Sequence, residues 1–241
     1  MPVYLRYELL RTFRNKRFLL FSLVFPVILY FVIAGQISGE LEGTSIPARL
    51  YFMSSIASFG TMMATISSGA RIATERQSGW TRQLRISPLS AQDYLRTKVA
   101  TAYVMAMLTI ALLYASGVIL GVRLPAHEWL AMTGLMLVAL VPFAALGILL
   151  GHLLNADSIG PATGGGVSVL ALVSGTWFPV GNSGFVHDLA QCLPSYWLAQ
   201  ASRAAVGGQP WEARGWLVVA AWAVVLSALA VRVYRRDTGR I

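Results

Sequence analysis

The chain alternates between long apolar runs and short polar segments that are rich in arginine. Residues 51–70 and 99–121 contain no Asp, Glu, Lys or Arg. A run of about 20 apolar residues can cross a hydrocarbon core of roughly 30 Å as a helix that rises about 1.5 Å per residue. The sequence therefore predicts an all-α integral membrane protein. The apolar runs predict six transmembrane helices, at residues 18–37, 48–72, 99–121, 129–151, 158–178 and 216–231.

The first polar segment, residues 1–17, precedes these runs and has helical periodicity. Val3, Tyr7, Leu10 and Phe13 fall on one face at spacings of three and four, and the arginines lie largely elsewhere. This pattern is typical of an amphipathic helix that lies in the membrane interface. The segment also carries five basic residues, which favour a cytoplasmic N-terminus.

A basic stretch from Arg71 to Lys98 separates the second and third predicted spans. It contains six basic residues and two acidic ones. Loops rich in Lys and Arg next to a span are retained in the cytoplasm. Residues 73–98 are therefore predicted to form a cytoplasmic loop.

This loop is longer than a simple reversal of direction requires, since about two to eight residues suffice to connect two helices. The pattern predicts a helix break at Gly79, a short amphipathic helix over residues 80–86 and a stop at Pro88. Ser90 and Asp93 then have the spacing of a capping box for the helix that enters the third span. An ordered detour of this kind predicts a surface to which another protein docks.

Residues 179–215, before the last span, are predicted to lie outside. Two candidate helices, at 185–193 and 196–205, are separated by Pro194 and are too short to cross, so they are predicted to be external re-entrant helices. Of the 19 Lys and Arg residues, 15 fall in the N-terminal segment, the basic stretch and the C-terminal tail. Both termini are therefore predicted to be cytoplasmic. The four basic residues predicted outside are Arg49, Arg123, Arg203 and Arg214.

Prolines and glycines predict where the spans bend and where they pack closely. Pro26 is expected to kink the first span and Pro142 the fourth, because proline removes a backbone donor and clashes with the preceding turn. Glycines four residues apart let helices approach closely in lipid. Two such pairs are Gly117 with Gly121 and Gly147 with Gly151.

Composition excludes a soluble domain and most catalytic chemistry. Hydrophobic residues make up 56% of the chain and charged residues 12%, and the net charge of +9 lies beside the spans, where it sets topology rather than binding nucleic acid. The single Cys192 excludes a cysteine metal cluster, and the span cores hold no ionisable residue for a proton relay. Lys16 and Lys98 follow Asn15 and Thr97 rather than glycine, so no phosphate-binding loop, and no bound cofactor or metal, is predicted.

Two other classes of function remain open on the residues alone. The run Gly181-Asn182-Ser183-Gly184 matches the GxSG pattern of rhomboid-type intramembrane serine proteases, and His187 follows shortly after it. In that family the serine opens a helix within the membrane and the histidine comes from a later span. Here both residues fall in one external segment. The alternatives are a membrane-embedded serine hydrolase and a channel without an ATPase partner.

The basic stretch resembles the signature region of ABC-2 type transporter permeases, the membrane subunits of bacterial ABC exporters of the daunorubicin-exporter and Nod-factor-exporter kind. That region reads as an acidic residue, a glycine, an Arg-Leu pair, a Pro-Leu-Ser turn and a Tyr-Leu before lysine. Trp80 stands where the family often has threonine. The matching residues are Glu75, Gly79, Arg82, Leu84, Pro88, Leu89, Ser90, Tyr94, Leu95 and Lys98.

The segment before the last span is also similar to the family, which commonly has a Pro-x-x-Tyr-like motif and an arginine there. The resemblance covers essentially the whole chain and implies one transmembrane domain over residues 1–241. The residues that carry this part of it are Trp177-Phe178-Pro179, Leu193-Pro194-Ser195-Tyr196 and Arg203.

The resemblance implies an exporter in the bacterial cytoplasmic membrane, built from two permeases, identical or homologous, and two ATPase subunits. ATP and Mg are then bound by the separate nucleotide-binding subunit, and this chain is not itself an enzyme. Closure of the ATPases moves the spans between inward-open and outward-open states. The residues expected to couple the chain to the ATPase are Glu75, Trp80, Arg82, Leu84, Arg85 and Ile86.

The same resemblance implies a substrate path between the two permeases, along the first, second and fifth spans. An apolar, aromatic lining there favours a hydrophobic or amphipathic substrate, such as a drug, an antibiotic or a lipid. The candidate lining residues are Phe25, Tyr30, Phe52, Phe59, Met63, Trp177 and Phe178.

Overall fold

Helices account for the regular secondary structure in the described part of the chain. The structure, a computed structural model, describes residues 2–37, 39, 46–80, 89–177, 180–181, 183–204, 206 and 210–238. The helices are α1 (Pro2–Arg14), α2 (Lys16–Leu19), a π-helical turn (Leu20–Val24), α3 (Phe25–Ala34), α4 (Ala48–Ala70), α5 (Ile72–Gln77), α6 (Ala91–Ile119), α7 (Ala126–Ala139), α8 (Val141–Leu153), α9 (Ala156–Val173), α10 (Phe185–Gln191), α11 (Pro194–Ala204) and α12 (Ala213–Thr238).

Helix α4 is the central element of the fold. It contacts α3, α6, α8, α9 and α11, and 19 of its 23 residues are buried. Successive residues of an α-helix are about 100° apart around its axis. On this basis the residues of α4 that are not buried point within about 100° of one another, so they form a single strip. This strip consists of Arg49, Phe52, Met63 and Ser67.

Small residues allow the neighbours of α4 to approach its backbone closely. A Cβ atom on Gly69 would lie 2.6 Å from the backbone of Gly147 in α8, and a Cβ on Gly147 would lie 2.5 Å from the carbonyl oxygen of Ile66. The predicted close approach at Gly147 and Gly151 is therefore confirmed. Ser58 and Thr61 donate to the carbonyl oxygens four residues earlier, at 2.9 and 2.7 Å, which satisfies their buried hydroxyl groups within α4. The Ser58 hydroxyl also lies 3.4 Å from the carbonyl oxygen of Leu198 in α11.

The two prolines interrupt helices where the sequence predicts. Pro26 follows the π-helical turn, in which Ser22 donates to the carbonyl oxygen of Phe18 at 2.7 Å, as expected where proline disturbs the helical ladder. Pro142 stands at the start of α8, which is separated from α7 by Leu140. The capping box is confirmed, because the Ser90 hydroxyl accepts from the Asp93 backbone N–H at 3.1 Å.

Three helical stretches are long and apolar enough to cross a membrane: Gln92–Ile119, Ala126–Leu153 and Ala213–Arg236. They coincide with the third, fourth and sixth predicted spans. The first predicted span is the interrupted helix from α2 to α3, whose apolar part, Leu20–Ala34, is shorter. The second and fifth correspond to α4 and α9. Helix α4 is rich in serine and threonine. These residues make it more polar than the three long apolar stretches and suit it to a buried position.

The segment before the last span forms two short helices, α10 and α11, divided near Pro194 as predicted. Buried Trp197 donates its indole N–H to the carbonyl oxygen of Gln191 at 2.8 Å and so ties the two helices together. The short helix predicted over residues 80–86 falls almost wholly on residues 81–88, which lie outside the described part of the chain.

The crossing of α4 and α8 gives the first prediction. In G147A the new methyl group meets the Ile66 carbonyl oxygen, and overpacking of this kind costs about 1–3 kcal/mol. We expect a lower melting temperature for the purified protein in detergent. In G165A, the matched control on α9, the new Cβ meets nothing within 4 Å, so the melting temperature should stay the same or rise. Equal melting temperatures for G147A and wild type would contradict the tight crossing.

Candidate functional site

Charged side chains from three helices meet at the end of the bundle that carries α1, which we call the basic end. Lys98 of α6 donates to a carboxylate oxygen of Glu8 and to one of Glu75, each at 2.5 Å. Arg11 donates to the same oxygen of Glu75 at 2.8 Å. The Tyr94 hydroxyl donates to the other oxygen of Glu75 at 2.6 Å. We call these five residues the ion cluster.

The ion cluster is buried except for Arg11, whose side chain is 44% exposed, and its charges balance. The side chains of Glu75 and Lys98 are 0% and 1% exposed, and that of Glu8 is 5% exposed. Two carboxylates face the lysine and Arg11, so the formal charges sum to zero. Removing a charge from water costs several kcal/mol unless an opposite charge and hydrogen bonds compensate it. Each member of the cluster therefore depends on the others for its place in the fold.

Glu75 is held in its ionised form. Burial alone raises the pKa of this carboxyl group, because it disfavours the charged state. The charge and hydrogen bond of Lys98, together with contributions from Tyr94 and Arg11, outweigh that effect. The pKa of Glu75 consequently lies below its usual value.

Helical spacing explains how the sequence builds the ion cluster. Tyr94 and Lys98 are four residues apart and lie on one face of α6. Glu8 and Thr12 have the same spacing on α1 and are both buried. The predicted apolar face of α1 points the other way: Val3 and Tyr7 are each 66% exposed. Helix α1 therefore turns its polar face to the protein and leaves its apolar face uncovered by the described chain.

A cleft of about 1130 Å³ lies beside the ion cluster, along α1. The Arg11 guanidinium lies 6.0 Å from the centre of the Trp80 ring, close enough for a cation–π contact, so the cluster and the tryptophan share one arginine. The lining also includes Tyr4, Tyr7, Arg14, Arg71 and Leu89. Val3 and Leu10 of the uncovered apolar face also line the cleft, so its wall combines apolar and aromatic side chains with three arginines, and Glu8 and Asp93 are its acidic members.

The residues predicted to couple the chain to an ATPase fall into three groups. Trp80 is 38% exposed at the mouth of the cleft. Glu75 is instead fully buried in the ion cluster, so within the described chain it acts on α1 and α6. The other predicted residues lie outside the described part of the chain: Arg82, Leu84, Arg85 and Ile86.

Sequence reasoning missed Glu8 as a member of this site. The available signal was that Glu8 is the one acidic residue among the first 17, in a segment that otherwise carries five basic residues. The family signature includes Tyr94 and Lys98, but it does not identify them as hydrogen-bond partners of Glu75. Their helical spacing does not reveal that partner, because Glu75 lies on a different helix.

The structure brings together only part of the predicted substrate path. The rings of Phe59 and Trp177 pack against each other with centres 5.1 Å apart, and Phe52 and Met63 lie on the partly buried strip of α4. Phe25 is 43% exposed. Tyr30 is fully buried and donates to the carbonyl oxygen of Arg49 at 3.3 Å, so it serves the packing of α3 against α4. Phe178 lies outside the described residues.

A serine hydrolase finds no support among the described residues of the segment before the last predicted span. His187 Nε2 lies 2.8 Å from the side-chain nitrogen of Gln191, and its ring packs against Tyr196. Among the described residues, no hydrogen bond links His187 to Ser183, which is exposed. The same part of the chain contains no group of His, Cys, Asp and Glu side chains that could hold a metal ion.

The three long apolar helices indicate a polytopic membrane protein. The family model described as ABC-2 family transporter protein matches residues 41–232, so the chain belongs to that family. It is therefore a membrane transport permease. It is also 28% identical over 240 residues, 95% of either chain, to the protein named "Putative transport permease YvfS" from Bacillus subtilis (strain 168).

The ion cluster gives the second prediction. In K98M two buried carboxylates face each other without their lysine, and breaking a buried pair in this way costs about 3–5 kcal/mol. We expect a large fall in melting temperature, with E75Q showing a similar loss. The control is R96Q, because Arg96 is 65% exposed and lies 4.0 Å from Asp93, and such surface pairs contribute about 0–1 kcal/mol. Equal melting temperatures for K98M and R96Q would show that the ion cluster does not hold the helices together.

Proposed function

We propose that the chain is the permease subunit of an ATP-driven ABC exporter in the bacterial cytoplasmic membrane. Two copies, or one copy and a homologue, form the transmembrane part, and two ABC ATPase subunits supply the work with ATP and Mg. Family membership supports the ATPase partner, because the family is that of ABC-2 transporters. The observation that carries the proposal is the ion cluster. It joins α1, α5 and α6, and its Arg11 also contacts the ring of Trp80.

The ion cluster suits the transmission of force from the cytoplasmic side into the membrane. Helix α5 carries Glu75 and is separated from the central helix α4 only by Arg71. Glu75 is tied to α1 through Arg11 and to α6 through Lys98. A push on the neighbourhood of Trp80 therefore acts on α1, α4 and α6 together. Packed elements with discrete arrangements respond to such a push by shifting as rigid bodies.

The cleft beside α1 is the place where we expect the ATPase to dock. Its basic, aromatic wall offers Arg11, Arg14 and Trp80 to an incoming surface. Arginine and tryptophan are enriched at the centres of protein interfaces. An acidic or carboxylate-rich helix of the ATPase fits this charge. Arg82 and Arg85, which lie outside the described part of the chain, remain predicted contacts of the ATPase on the basis of the sequence.

The substrate in this proposal is hydrophobic or amphipathic. The less buried strip of α4 carries Phe52, Met63 and Ser67. A cavity of about 280 Å³ lies between Met63 and Ser67 on this strip and Phe21 and Ser22 in the π-helical turn. Phe18 and Phe21 line its other side. An apolar surface of this kind, on the central helix and beside an interrupted one, is suited to contact with apolar cargo in a two-permease assembly.

Copurification with the cognate ABC ATPase tests the function. The chain purified alone should hydrolyse no ATP, and the two proteins should form a complex. The double variant R82E/R85E should weaken this complex at least tenfold, because it reverses two charges of the docking surface. R123E, the control, lies at a predicted external site and should leave the complex intact. Undiminished assembly and transport in R82E/R85E, or the absence of any complex with wild type, would contradict the proposal.

We further propose six spans with both termini in the cytoplasm. Three spans are the long apolar helices, and α2–α3, α4 and α9 supply the others. With Cys192 replaced by Ser, single cysteines at Gln77 and Arg123, both exposed, test the orientation. In intact spheroplasts a membrane-impermeant maleimide should label R123C at once and Q77C only after permeabilisation. The reverse order would place the basic end outside and would remove the ATPase from reach.

A further inference from the structure

Arg203, near the end of α11, pairs with no carboxylate among the described residues. Its Nη2 atom donates to the hydroxyl of Ser55 at 2.9 Å and, at 3.4 Å, to the carbonyl oxygen of Gly175. The guanidinium carbon lies 4.1 Å from the centre of the Tyr51 ring. No Asp or Glu side chain forms an ion pair with it among the described residues, which distinguishes it from Lys98 and Arg11 in the ion cluster.

The environment of Arg203 leaves much of its hydrogen-bonding capacity unused. The Nε atom is buried and has no hydrogen-bond partner, although an arginine offers five N–H donors in a fixed fork. Burial lowers the pKa of this guanidinium, since neutral groups compensate only part of the cost of its charge. A charge taken out of water usually has an opposite charge beside it. The geometry therefore calls for an anion that the described chain does not provide.

An aromatic pair lies one helical turn along α4 from Ser55, the hydroxyl partner of the guanidinium. Ser55 and Phe59 are four residues apart on α4 and so share a face, and Trp177 follows Gly175 by two residues. The rings of Phe59 and Trp177 pack against each other at an angle of 59°; Phe59 is buried, whereas Trp177 remains partly exposed. A molecule that reaches Arg203 along this face thus meets aromatic rings and a cation together.

We propose that Arg203 anchors a binding site for a phosphate or carboxylate group carried on an apolar body. The planar fork of arginine matches both oxyanions with two parallel hydrogen bonds. Tyr51 and Ser55 hold the guanidinium in place from α4, and the aromatic pair receives the apolar part. The oxyanion can belong to cargo or to a lipid headgroup. If the oxyanion belongs to cargo, the inference narrows the substrate class of the proposed exporter and rests on that proposal. The binding of an oxyanion at Arg203 does not depend on the exporter proposal.

Binding of decyl phosphate to the purified permease tests the site, and it requires no ATPase, so its failure is distinct from failure of the exporter proposal. A ligand that binds the folded state raises the melting temperature in proportion to its occupancy. In neutral detergent, decyl phosphate should stabilise the wild type, whereas decyl maltoside, which has the same tail, and inorganic phosphate should not. No stabilisation by decyl phosphate, or equal stabilisation by inorganic phosphate, would overturn the proposal.

Three variants assign the effect to Arg203. R203Q should weaken binding of decyl phosphate by about tenfold or more, because it removes a charged hydrogen-bond donor. R203K keeps the charge but loses the fork, so it should weaken binding several-fold and serves as the test if R203Q does not fold. R123Q is the control, since Arg123 is exposed and donates to the carbonyl oxygen of Val118. Wild-type affinity in the folded Arg203 variants would refute the site.

Lipid nanodiscs distinguish the two sources of the anion. If phosphatidylglycerol stabilises the wild type more than phosphatidylcholine, and R203Q abolishes the difference, the site holds an anionic lipid headgroup. If the two lipids are equivalent while decyl phosphate still binds through Arg203, the site serves cargo. Either result supports an oxyanion site at Arg203. Stabilisation by phosphatidylglycerol that persists in R203Q assigns the lipid effect to other residues and counts against Arg203 as a lipid site.

Discussion

The buried attraction between Lys98 and the carboxylates of Glu8 and Glu75 is the constraint on which the basic end of this protein depends. The lysine lies in the N-terminal part of α6, and its side chain is only 1% exposed. Its charge is tolerable there only because two carboxylates, 90 and 23 residues away in sequence, reach the same point. Three helices are consequently held in one arrangement, and none of them can move alone without exposing or isolating a charge.

The centre of the bundle is held by a different interaction. Around α4, glycines and small hydroxyl residues allow backbones to approach within van der Waals contact, and the hydroxyl groups of Ser58 and Thr61 donate to carbonyl oxygens of their own helix. Few hydrogen bonds cross between α4 and its neighbours, among them those from Tyr30 to the carbonyl oxygen of Arg49 and from Arg203 to the hydroxyl of Ser55, so close packing of small residues is the main contact there. The protein thus joins an ionic end to a closely packed centre of small residues, and the proposed coupling to an ATPase depends on both.

Much of the fold could be predicted because it follows from local chemistry. The breaks at Pro26, Pro142 and Pro194 arise from the missing backbone donor of proline, and the start of α6 follows from Ser90 and Asp93. The lengths of the apolar runs predicted which stretches form membrane-spanning helices, because about 20 apolar residues are needed to cross the hydrocarbon core. By contrast, α4 is less apolar than a lipid-exposed span, and only its position in the middle of the bundle explains its composition.

By itself, the sequence determined that this chain is a helical membrane protein with one strongly basic end, because hydropathy, charge and proline act over short distances along the chain. The tertiary structure decided which charges meet. Glu75 was recognisable as a signature residue, yet its burial against Lys98 and Arg11 depends on three segments that converge in space. Likewise, nothing local to Arg203 reveals that it lies against Tyr51 and Ser55 without a carboxylate beside it. Pairing between distant charges is a property of the folded chain, since electrostatic partners are chosen by proximity in space.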